Sequence, residues 1–142
     1  MAAPHRIEEV DETKELVRQA YDALNRGAID EFGRFLSDNF QEITRKGTTR
    51  NKNECLAGLI EVKKAMPDVR YDIQEIIAEG DRVAVVENYS GTMKGPMRGS
   101  KPTGKKMSVT AVDVYKIKNG KLTEVRSVFD MASLTNQLGI QE

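Results

Sequence analysis

The chain has little of what many small enzymes and secreted domains are built around: one cysteine, one histidine and no tryptophan in 142 residues. A single cysteine excludes an internal disulfide. It is Cys55, within Glu54-Cys-Leu-Ala-Gly-Leu-Ile60, and the pattern reads as the buried face of a helix with an inert thiol. The one histidine, His5, falls on residues 1–9, expected to be a mobile tail. Too few ligands remain for a metal constellation, and no imidazole is left as the base of a Ser-His-Asp or Cys-His system. Net charge is absent too, because 22 basic residues cancel 22 acidic ones. The global electrostatic case for nucleic acid or an anionic membrane disappears with it. No apolar run is long enough to span a bilayer, and the N-terminus carries neither a secretory nor a transit signal. The expectation is a cytoplasmic protein of one domain over residues 1–142, with no nucleic-acid or membrane partner.

What is present is a change of period. From Asp11, a helix-start signal leads into Leu16, Val17, Ala20, Tyr21 and Leu24, a helical stripe that stops at Gly27. Ile29, Phe32, Phe35 and Leu36 continue as a second short helix, ended by Ser37-Asp-Asn39. Phe40–Thr44 reads as a short strand, and a third helix capped near Asn51 carries Cys55, Leu56, Leu59, Ile60 and Met66 until Pro67 stops it. Beyond it the alternation becomes strand-like. Val69–Ala78 and Arg82–Thr92 flank Glu79-Gly80-Asp81, and Lys106–Ile117 and Lys121–Asp130 flank Lys118-Asn119-Gly120, both hairpin signals. Helices first and an antiparallel meander second predict an α+β fold, with helices packed on one face of a curved sheet.

Two carboxylates stand on apolar strand faces. Asp113 shares its face with Met107, Val109, Ala111, Tyr115 and Ile117, and Glu87 shares one with Val83, Val85, Tyr89 and Gly91. An unpartnered buried carboxylate is costly, so each must be hydrogen-bonded, paired or lining a cavity. For Asp113 the alternatives are satisfaction by neighbouring hydroxyls and amides or a place in a site; for Glu87 they are a partner subunit, a lysine or the same site. If both face one cavity, desolvation and repulsion raise one of them and leave an acid beside a base, suited to proton transfer at a carbon next to a carbonyl. Tyr21 offers a phenol to a ligand carbonyl or simply packs in the core. The segment from Gly91 to Lys106 carries Lys94, Arg98, Lys101, Lys105 and Lys106 without one acid, and reads either as a basic lid or as a solvated connection. Met93 and Met97 would give such a lid apolar contacts.

Across nearly its whole length the chain resembles the SnoaL-like polyketide cyclase (ester cyclase) family of the NTF2-like superfamily. The resemblance rests on Ile76–Val85, Gly91-Thr92, Pro102–Lys106, Ala111–Ile117, Asn119–Glu124, Val128-Phe-Asp130 and Leu138-Gly139. It implies an NTF2-like cone around an apolar pocket, a homodimer joined through the sheet, and acid/base closure of a polyketide without a cofactor. By motif, Asp113 takes a pocket position and Tyr21 falls near a pocket tyrosine. Family members usually carry their principal acid/base aspartate where this chain has Ser127, in Glu124-Val125-Arg126-Ser127. Ile43 stands at a frequent histidine position and Glu87 at a usual aromatic one.

Three functions remain open on these grounds. The first is a cofactor-independent cyclase or isomerase acting on a small apolar carbonyl compound. Asp113 and Glu87 would be its acid/base pair, Ser127 and Tyr21 its oxyanion donors, with Tyr89, Met93, Val125 and Phe129 also around the substrate. The second is a non-catalytic module that binds a small apolar ligand. The third is a dimeric interaction domain using the outer sheet face of Ser108, Thr110, Val112, Val114 and Lys116. The state of the cone separates them: an open cavity holding both acids favours an enzyme.

Overall fold

Residues 70–129, where the sequence alternates with period two, form four long antiparallel strands in a computed structural model that describes residues 3–141, with side chains from residue 10 onward. These are β3 (Arg70–Glu79), β4 (Arg82–Thr92), β5 (Lys106–Lys118) and β6 (Lys121–Phe129). The β5–β6 turn is Asn119-Gly120 with φ of 52° and 71°, the left-handed pair that a two-residue hairpin requires. Two more strands extend the sheet, β1 (Leu36–Ile43) and β2 (Thr49–Asn51), giving the order β2-β1-β6-β5-β4-β3. β1 lies parallel to β6, and every other pairing is antiparallel. The sheet curves without closing, and its concave face is packed by α1 (Ala3–Asn25), α2 (Ile29–Arg34), α3 (Lys52–Ala65) and α4 (Met131–Leu138). The α+β architecture expected from the sequence is the one found. Among the described residues no helix is long and apolar enough to cross a membrane.

α1 buries Val17, Ala20, Tyr21, Ala23 and Leu24 against β3 and the concave face. It ends where Gly27 turns to φ 75° and the Ala28 amide reaches back to the Ala23 carbonyl, closing the last turn. Asn25, in that last turn, bonds both backbone groups of Tyr71, accepting from its N–H at 2.8 Å and donating to its carbonyl at 2.9 Å. The edge strand β3 is thereby tied to the helix by the contacts a further strand would make. α3 starts in a capping box: the Asn51 side chain accepts from the Glu54 amide, and the Glu54 carboxylate accepts from the Asn51 amide, both at 2.9 Å.

Several boundaries differ from the sequence reading. α1 starts at Ala3 rather than Asp11, because Pro4 sits in the first turn, where its missing amide costs no helical bond. The expectation of a mobile tail over residues 1–9 falls partly outside the described residues. Leu36 to Asn39 belong to β1 and not to a helix; Ser37-Asp-Asn39 lie where the β1–β6 register shifts between Leu36 and Gln41. Ile60 is 41% exposed, so α3 buries Cys55 and Ala65 and not the whole stripe expected. β2 and α4 were not read at all. α4 is nonetheless capped at both ends, by the Asp130 carboxylate accepting from the Ser133 amide at 2.9 Å and by Gly139 at φ 72°.

Candidate active site

Register stacks the inward side chains of the meander in rungs. Val85, Asp113 and Ser127 form one rung across β4, β5 and β6, and Glu87, Ala111 and Phe129 form the next toward the open end. Tyr89 follows on β4, with Tyr71 beside it on β3. Apart from Val85, which is sealed in the core, they line a cavity of about 600 Å³ completed by α3, α4 and two turns. Asp113, Glu87, Tyr89, Val125, Ser127 and Phe129 all line it. Met93 does not: it is fully buried beside Met66 and Met107 in a separate core cluster, so of the expected methionine pair only Met97 reaches the cavity.

Asp113 is fixed by hydroxyls. Ser127 Oγ donates to Asp113 Oδ1 at 2.6 Å, and the Tyr21 phenol donates to Oδ2. With its proton committed there, Tyr21 accepts from the Tyr115 hydroxyl at 2.8 Å, the two rings meeting edge to face at 6.3 Å. Burial, and then the charge of Asp113, raise both phenols well above the ordinary tyrosine value, so both stay protonated. The expected oxyanion donors are therefore turned toward the carboxylate: Tyr21 stands behind Asp113 rather than on the cavity wall, and Ser127 supports its neighbour across the strand. Tyr115 was read in the sequence only as a core face residue.

Glu87 is the perturbed group. It is 2% exposed, and burial first, then the neighbouring Asp113, push it up to about 11. It is a neutral carboxylic acid at pH 7, next to Asp113. Its Oε2 has no partner among the described residues. No lysine among the described residues pairs with it, which removes one of the explanations left open by the sequence. Around the pair the wall is aromatic, with Tyr71 and Tyr89 stacked at 5.3 Å and Phe129 edge-on to Tyr89 at 5.8 Å.

A second polar group on the wall was not read from the sequence. Arg50 donates to Glu42 Oε1 from Nε at 2.8 Å and Nη2 at 2.6 Å. Cys55 lies beside them, its thiol pushed up to about 12 by burial and by Glu42, too high for a nucleophile near neutral pH. Among the described residues no group of three or more His, Cys, Asp or Glu side chains is placed to hold a metal ion.

Residues 14–138 match the model of the SnoaL-like polyketide cyclase family. The chain belongs to this family. Among solved structures, AclR of Streptomyces galilaeus, described provisionally as a hydroxylase, is 26% identical with a TM-score of 0.85 over 94% of this chain and 88% of that one. A SnoaL-like polyketide cyclase from Agrobacterium tumefaciens is 23% identical, TM-score 0.75, over 89% of this chain and 97% of that one. A Catenulispora acidiphila protein with a ketosteroid isomerase-like fold is 16% identical, TM-score 0.76, over 89% and 94%. The last two likenesses carry the NTF2-like fold alone. A search of curated sequences returned no match.

The state of Glu87 has a consequence for stability in this SnoaL-like chain. Its folded value stands above the ordinary one of 4.5, so between that value and about 11 the native state holds one proton more than the unfolded chain. Stability from this group is fully present below the lower value and is lost as pH rises toward the upper one. Glu87→Gln removes the titration. Urea unfolding from about pH 6 to about pH 8 should show the wild type losing roughly 2–3 kcal/mol relative to the variant. Parallel pH profiles would mean that Glu87 is ionised in the folded protein.

Proposed function

We propose that the protein is a cofactor-independent acid/base enzyme of the cyclase or isomerase type, acting on a small apolar carbonyl compound held in the cone. The observation that carries this reading is the pairing of a neutral Glu87 with Asp113 on the wall of one open, mainly apolar cavity. Asp113, held by Tyr21 and Ser127, takes a proton from the carbon next to the substrate carbonyl. Glu87 gives its hydrogen bond to the oxygen on which charge then develops, as a carboxylic acid kept neutral by burial can. Membership of a polyketide cyclase family supports the substrate class.

Asp113→Asn keeps the shape and loses the base. Exchange of the α-protons of 2-acetylnaphthalene into heavy water, followed by NMR, should be accelerated by the wild type and slowed at least about a hundredfold by the variant. No acceleration by the wild type, or an undiminished rate in Asp113→Asn, would favour a binding module over an enzyme.

The reading includes a homodimer through the convex sheet face. Val86, Val112 and Val128 lie side by side across β4, β5 and β6, and Val128 is 59% exposed. Such a row on a three-strand surface suits a second copy better than water. Val128→Lys should convert a dimer to a monomer in light scattering after gel filtration. A wild type that is already monomeric excludes this interface.

A further inference from the structure

The mouth of the cavity is as distinctive as its interior. Two turns line it. The β1–β2 turn, closed by the Thr44 amide on the Thr48 carbonyl at 2.8 Å, contributes Arg45 and Lys46 to the rim. The tip of the β4–β5 connection, where Met97 and Ser100 pair backbone to backbone at 3.1 and 2.9 Å, contributes Met97 and Arg98. Arg50 is neutralised by Glu42, whereas Lys46 and Arg98 have no acidic partner among the described residues. Residues 93–105 contain no acid at all.

Arg98 is held in place. At the stem of its segment, the Lys94 and Gly95 amides both donate to the Ala65 carbonyl at 2.9 Å. Thr103 Oγ1 donates to the Leu138 carbonyl at 2.7 Å, and Met93 is fully buried beneath. A Cβ at Gly95 would meet the Lys64 carbonyl at 2.7 Å, so the anchoring depends on that glycine. At the tip, Arg98 and Gly99 take φ of 52° and 77°. The first is a position where asparagine or glycine is the favoured residue and arginine is held against its backbone preference. Residues kept in such conformations concentrate where function requires the side chain.

The deep end of the cavity holds the carboxyl pair and repels a second anion; the rim attracts one. We propose that the substrate is amphipathic in this sense: an apolar body with a carbonyl that reaches Asp113 and Glu87, and a carboxylate at the opposite end held by Arg98 and Lys46. This rests on the proposed use of the cavity as the substrate site and deepens it, because the rim then fixes which end of the molecule enters first. An arginine fork matches a carboxylate in two parallel hydrogen bonds, and Lys46 adds a point charge from the β1–β2 turn.

The test is a matched pair of probes, 6-acetyl-2-naphthoate and its methyl ester, titrated calorimetrically into the full chain. The bodies are identical and aromatic, like the Tyr71, Tyr89 and Phe129 wall. The acid should bind about tenfold tighter than the ester at low ionic strength, with the advantage shrinking as salt is added. Arg98→Asn combined with Lys46→Gln should abolish the difference while leaving ester binding and thermal stability in place, since asparagine suits the left-handed turn. Equal or tighter binding of the ester, or a preference for the acid that survives the double variant, would overturn the carboxylate assignment and leave the cavity reading standing. If neither probe binds, the substrate-site reading fails together with the carboxylate.

Discussion

Two buried carboxyl groups one rung apart on the concave face of a sheet cannot both be charged at modest cost. Everything around Asp113 and Glu87 follows that restriction. One side supplies hydroxyl donors: Ser127 from the neighbouring strand and Tyr21 from α1, itself backed by Tyr115. The other supplies apolar and aromatic surface, which keeps Glu87 protonated. Because Tyr21 reaches Asp113 from α1, the same contact that orients the carboxylate also fixes the helix against the sheet. The polar centre is part of the core, continuous with Val17, Val85 and Val125.

The resemblance to SnoaL-like cyclases placed an acid/base aspartate at the position of Ser127. In this chain that position faces Asp113 directly across the β5–β6 pairing, and the second carboxyl stands instead on β4, one rung nearer the mouth. A hydroxyl opposite Asp113 stabilises it where a carboxylate would compete with it for the single proton. The position on β4 places Glu87 beside the aromatic wall of Tyr71, Tyr89 and Phe129.

Asp113 and Glu87 were legible in the sequence because strand alternation needs no partner to be read: a charge in an apolar row is an anomaly within a single strand. The meander was legible for the same reason, with Asn119-Gly120 and Gly80 marking its turns. What depended on non-local pairing was not. β2 has three residues and exists only through its pairing with β1, and β1 runs through Ser37-Asp-Asn39, polar residues that locally read as a terminator. Tyr21 and Ser127 were read as donors to a ligand oxygen, but the direction of their protons depends on Asp113 being within reach, a tertiary fact. Met93 shows the opposite failure. A methionine in a glycine- and lysine-rich segment reads as exposed, whereas the stem of that segment folds into the core against Met66 and Met107. α4 carried both its caps in the sequence, Asp130 and Gly139, and was passed over because it has only eight residues.

The account stands on a neutral Glu87 next to Asp113 in the folded protein at ordinary pH. The direct measurement is the infrared difference spectrum between wild type and Glu87→Gln near neutral pH. A protonated-carboxyl C=O band present in the wild type and absent from the variant is the predicted result. A difference spectrum showing only the loss of an ionised carboxylate would contradict the account, because an acid that is already charged can neither donate to a developing oxyanion nor share a buried site with Asp113 in the way described.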